Sequence, residues 1–338
     1  MQLTPSYGKR SVNKYAANPE AYEIYLKGRF YLNKRTFPEI EKSTGYFQES
    51  IQKDPGFALA YAGLADSYLA HSITSTQDFD PKAEAAASRA LELDDGLAEA
   101  HAALGAVKAD YEYDWPGAER ELKQAIELNP NYADGHFRYA WSYLTPLGKS
   151  DQAIAEMKKA LELDPFSRMD NTVLGCIYFY GRRNGQALQQ FENAIKLNPD
   201  FFVTYYHLAW LYSDQGQYQD AITALTKGRL SAGDQRVKSA ISQEVALRKA
   251  FAAGGGKGFW QQIQRQEDSA VGEFGTAQVN ARLGNEEKAL KELQGNYEER
   301  FPLATLVNVD PAFDSLRSDP RFKELVRRMG MTPNLRDQ

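Results

Sequence analysis

Cysteine occurs once in these 338 residues, at Cys176, and histidine only four times. A single thiol excludes an intrachain disulfide and any multi-cysteine metal site, and no two histidines stand four apart as helical metal ligands do. A basic surplus is missing too. Lysine and arginine number 40 against 45 aspartates and glutamates, a formal net charge of −5, which argues against direct contact with a phosphate backbone. No apolar run approaches the roughly 18–20 residues that a membrane-spanning helix needs. The opening, MQLTPSYGKRSVNKYAANPE, lacks the apolar core of a secretory signal and reads as a polar linker over 1–19. A cytoplasmic protein that does not insert into membranes is therefore the expectation.

Catalytic signals are equally sparse. GGGKG at 254–258 fails as a phosphate loop, because Phe251 stands where a glycine is required and Gly258 where a Ser or Thr must hold the metal. It reads as an interhelical loop. Cys176 has no recognisable base to activate it and reads as a small apolar helix residue. His101 and His136 occupy the same repeat position as Tyr61 and Tyr205, which points to packing. No catalytic residue, metal ligand or cofactor is expected, and the chain reads as a non-enzyme. The alternative is an enzyme whose site lies in the irregular 231–272 region, or is supplied by an upstream effector domain.

What is present is a repeat. ESIQKDP, RALELDD, QAIELNP, KALELDP and NAIKLNP close at Pro55, Asp95, Pro130, Pro165 and Pro199, spaced 40, 35, 35 and 34 residues apart. Each period also carries a small residue in a first helix: Gly28, Ala65, Gly105, Ala140, Gly175 and Ala209. An aromatic follows three residues later in all but one, where Lys108 stands instead. Second helices pair a small residue with a bulky one four later, as in Ala118 with Leu122 and Ala187 with Phe191, placing both on one helical face. Asp80-Pro81 and Asp114-Trp-Pro read as helix starts, and the Asn/Asp-Pro endings as helix stops.

This pattern resembles the tetratricopeptide repeat family, over six units across residues 20–230 and a seventh at about 270–296. The resemblance implies an all-α, right-handed superhelical α-solenoid of antiparallel helix pairs, acting as a protein-interaction scaffold. Residues 231–308 read as an irregular helical segment containing that seventh unit. The stretch 309–338, with Asp-Pro at 310–311 and 319–320, reads as capping helices. YLKGRFYLNKRT and DPRFKELVRRMG also resemble the C-terminal module of large bacterial signalling proteins, which implies an upstream effector domain.

In such repeats the first helices carry the binding surface. Residues three before, one after and four after each small residue form one helical stripe. It runs through Tyr25 and Arg29, Asp66, Ala102, Ala106 and Ala109, then Phe137, Trp141, Cys176, Phe179, Tyr206 and Trp210. The all-alanine third unit leaves room, while units four to six project aromatics suited to a binding hot spot. A groove of Tyr25, Arg29, Phe137, Arg138, Trp141, Phe179, Tyr206, His207 and Trp210 is expected to hold a peptide or a partner's helix. The paired basic clamp that grips a C-terminal carboxylate is not visible, since Arg29 is the only base on the stripe.

Overall fold

A computed structural model describes residues 18–72, 79–231, 237–265 and 272–334. Most of the expected linker and most of the repeat-two insertion lie outside these residues. The chain divides into two compact units, Met1–Tyr143 and Leu144–Gln338, and among the described residues neither contains a strand.

The first unit comprises α1 (Pro19–Leu32), α2 (Phe37–Lys53), α3 (Ala58–Ser72), α4 (Phe79–Leu93), α5 (Ala98–Val107), α6 (Trp115–Leu128) and α7 (Ala133–Arg138). The second holds α8 (Ser150–Leu163), α9 (Arg168–Tyr180), α10 (Asn184–Leu197), α11 (Phe202–Asp214), α12 (Tyr218–Ser231), α13 (Val237–Arg265), α14 (Gly272–Arg282), α15 (Glu286–Glu298) and α16 (Pro320–Arg328). Successive helices pack as pairs.

The pairing follows from size. A Cβ on Gly28 or on Gly63 would lie 2.6 or 2.5 Å from the Phe47 ring, and one on Gly175 would lie 2.4 Å from Phe191. Gly105 meets Leu122 in the same way. Glycine lets the first helix approach until the bulky residue of the second fills the gap, and Phe47, Leu122 and Phe191 are fully buried there.

The turns between pairs repeat as well. Asp54, Asp94, Asn129 and Asp164 each accept a bond from the amide two residues on, at 3.0 to 3.3 Å, the Asx turn that ends a helix without a dedicated cap. At Asp95, Pro130, Pro165 and Pro199 the carbonyl of the closing residue is then bonded by a side chain of the next helix. His101 and His136 use Nε2, Asn171 Nδ2 and Tyr205 Oη, all at 3.0 Å. The packing role read for the two histidines is thus a specific hydrogen bond, and it is shared by an asparagine and a tyrosine.

Two first helices widen at their ends. α5 continues as a π-helix over Lys108–Glu112 and α7 over Tyr139–Leu144, whereas α9 is α-helical throughout. These are the units of 35 residues, against 34 for the unit that begins with α9. The extra residue is absorbed inside the helix as a wider turn.

Two boundaries differ from the sequence reading, and a third feature agrees with it. α1 begins at Pro19, capped by the Asn18 side chain on the Glu20 amide at 2.9 Å. α4 begins at Phe79, so Asp80 sits inside its first turn rather than capping it. GGGKG joins two helices, as its sequence suggested: the stretch labelled α13 is two helices that meet across a kink at Gly255, at φ 57° and ψ −145°. A Cβ on Gly258 would collide with the Ala250 carbonyl at 2.1 Å, so the break requires glycine by close approach.

α14 and α15 form the pair near 270–296. The chain then makes two 3₁₀ turns, Pro302–Asn308 and Pro311–Leu316, before α16, so only the last part of this tail is α-helical. Asp310 and Asp319 cap through bonds to Ala312 N and Arg321 N. Phe322, Leu325, Val326 and Met329 are buried. The tail also reaches back within its unit: Asn308 Nδ2 donates to the Pro146 carbonyl at 3.1 Å, and Arg182 bonds Asp314 at 2.6 Å.

Candidate partner-binding surfaces

The stripe of the first unit is ionic. Arg29 donates to Asp66 at 3.4 Å and to Asp134 at 3.3 Å, and Arg138 donates to the other Asp66 oxygen at 2.6 Å. These residues come from the first, second and fourth first helices, so Arg29 ties the first repeat directly to the fourth. Burial pushes the Asp66 carboxyl above its ordinary range against the pull of Arg138 and Arg29. At Asp134 burial acts the same way, but Arg29, Arg35 and Arg138 outweigh it and hold the carboxyl below its ordinary range.

Tyr25 is buried, its ring against Phe57 at 5.3 Å and Phe47 at 5.8 Å, and burial pushes its phenol up to about 12. Ala102, Ala106 and Ala109 are fully buried, so the room that the alanines of the third unit were expected to leave is not open. Phe137 and Trp141 remain half-buried. Arg138 is not marginal to the stripe, as its spacing suggested, but a buried member of the network.

The second unit has an aromatic stripe. Phe179 is buried beside Tyr180, at 5.5 Å. Indeed α9 is buried on every side from Asp170 to Tyr180. Burial pushes the Cys176 thiol up, which leaves it an unreactive packing residue. Tyr206 is half-buried with Phe202 edge-on at 5.7 Å. His207 stacks on Phe191 at 6.3 Å, between α10 and α11, and burial pushes its imidazole down to about 4, so it is neutral.

Trp210 does not stand alone. It stacks on Trp260 at 5.3 Å, and the Arg282 guanidinium lies 5.2 and 5.0 Å from the two rings. Arg282 in turn pairs with Asp214 at 3.5 Å. Sequence reasoning missed Trp260 and Arg282, although Phe259-Trp260 directly after the glycine run was a visible aromatic pair. Tyr25, Arg29 and Arg138 are thus brought together in one unit, and Tyr206, His207 and Trp210 share α11 in the other. Among the described residues no three His, Cys, Asp or Glu side chains gather as metal ligands, and no helix is long and apolar enough to cross a membrane.

A family model described as "Tetratricopeptide repeat" matches residues 121–155 and 191–223. The paired helices have the fold of a tetratricopeptide solenoid. Superkiller protein 3 of Schizosaccharomyces pombe is 28% identical over 217 residues, 62% of this chain and 15% of that protein. Superkiller complex protein 3 of Homo sapiens is 24% identical over 197 residues, 57% of this chain and 12% of that protein. The chain therefore spans only 12–15% of the length of these two relatives. Two solved structures share the tetratricopeptide fold. Yeast Tom70 has a TM-score of 0.51 at 17% identity, covering 94% of this chain and 69% of that one. A monomeric IFIT1 mutant with the capped RNA m7Gppp-AAAA has a TM-score of 0.57 at 16% identity, covering 96% and 74%.

Proposed function

We propose that this chain holds a peptide or a partner's helix on the stripe of its first helices, and that in a longer parent it serves an attached effector domain as sensor or tether. The observation that carries this reading is that each unit has half-buried aromatics, Phe137 and Trp141 in the first and Tyr206 and Trp210 in the second, on helices whose other faces are packed. Rings held by neighbours and reachable from one side lose little entropy on binding, as hot-spot residues do. Arg29 and Asp134, each about a quarter exposed, offer the only stripe charges a ligand could reach in the first unit's network. No enzymatic step is proposed, because no nucleophile and base come together among the groups described above.

The test is selection from a displayed peptide library against the full chain, followed by titration of the selected peptides. Trp141→Ala and Tyr206→Ala should each weaken binding by about 2 kcal/mol or more while helicity is retained. Selected peptides that bind both variants as tightly as the original chain would place the site elsewhere.

A further inference from the structure

The inter-repeat contact has a fixed register, and among the described residues no second helix fills the first repeat's share of it. Take the residues two before and two after the small residue of each first helix. In the second repeat these are Gly63, against whose position the Phe47 ring lies, and Ser67, bonded to Thr44 at 2.9 Å. In the sixth they are His207, stacked on Phe191, and Leu211, fully buried. Gly63, Ser67 and His207 thus face the second helix of the preceding repeat. The forward member of the pair is buried in every later repeat, as Ser67, Val107, Ser142, Ile177 and Leu211.

In the first repeat the same two positions are Leu26, 48% exposed, and Phe30, 60% exposed. A terminal unit that ends a stack carries a polar outer face. This one carries two large apolar side chains, bigger than the Gly63 and Ser67 that fill the equivalent contact one repeat on. We infer that the Leu26–Phe30 face of α1 is a docking surface for an amphipathic helix of a partner protein, built like the second helix of a tetratricopeptide pair and added as one more layer. The surface continues the interface already formed between repeats. The occupant's contact face needs a small residue and a bulky apolar one four positions later, as Ala187 and Phe191 provide for His207 and Leu211.

The probe follows from that match. A fluorescent peptide of the α10 sequence, residues 184–199, is cross-linked through its exposed positions Gln189 and Asn193 to hold it helical and is titrated with the full chain. Saturable binding is expected. Phe30→Glu should weaken it at least about tenfold, whereas Phe166→Glu, at another exposed aromatic, should leave it unchanged. Both sites are exposed, so circular dichroism should show equal helicity for the two variants.

No saturable binding up to about 1 mM would overturn the inference, as would equal loss in both variants. Binding that arises only after residues 1–17 are removed would show the face to be covered by the chain itself. A dimer of the free chain that Phe30→Glu dissolves would assign the face to a second copy. Either result overturns the partner.

Discussion

Both units carry aromatics on the stripe, but only the first adds an ionic network to them. In the first, two arginines and two aspartates neutralise one another and join the first repeat to the fourth. In the second, aromatic rings stack on one another and on a single guanidinium. Both units share the wedge of a bulky residue into a glycine or alanine gap, so the wedge, not the stripe, makes the helix pairs. The stripe is where sequence can change without changing the pair, and it is there that the two units diverge. An ionic stripe must recover a desolvation cost through good geometry, whereas an aromatic one does not.

The wedge should dominate any comparison of variants. Phe47→Ala removes a fully buried ring packed against two glycine positions and should cost about 4 kcal/mol, read as a shift of the urea midpoint. A loss no larger than that of an exposed substitution would refute the common wedge. Next comes the ionic stripe itself. Asp66→Ala leaves Arg29 and Arg138 without their shared partner and should cost roughly 3 kcal/mol. Added salt should change that loss little, since the contact is buried.

The units should also respond to pH with opposite slopes. Burial pushes Asp110 in the first unit up to about 8, above its unfolded value of 3.8. Its folded form holds the proton longer, so its contribution is full below about 4 and is lost as pH rises toward 8. His207 in the second unit is pushed down to about 4 from 6.5. Its contribution is full above about 6.5 and is lost as pH falls toward 4. Thermal melts between pH 4 and 9 should flatten at the alkaline end for Asp110→Asn and at the acidic end for His207→Gln. Each effect should be on the order of 1–2 kcal/mol, because both side chains keep some solvent contact. The smallest effects belong to the tail. Asp319→Ala removes a cap and should cost about 1 kcal/mol, while Glu287→Gln breaks an exposed pair with Arg321 and should leave the urea midpoint unchanged.

The features legible in the sequence are those fixed by local size and local hydrogen bonding. Gly28, Gly105 and Gly175 announced close contact, Asp114 and Asp310 announced helix starts, and the Asn/Asp-Pro endings announced turns. The features that escaped depend on distance. Nothing in the spacing of Arg29 and Asp134, 105 residues apart, says that they meet. Trp260 lies in a segment without a clear period, so its stack on Trp210 had no register from which to be read. The alanines of the third unit were taken as open space because stripe arithmetic counts side chains on one helix and not those arriving from others. The π-helices were half legible: the 35-residue spacing carried the extra residue but not its place.

That extra residue has a consequence for how such a chain can vary over generations. A residue inserted in a connecting turn alters only the turn. One inserted within a first helix, and taken up as a π-turn, leaves the closing Asx turn and the following unit in place. Only the side chains of the wider turn itself are re-aimed around the axis. Single-codon gains and losses at these helix ends would re-aim what a unit displays while its neighbours stay put, a coarse dial for ligand preference that needs no substitution at all.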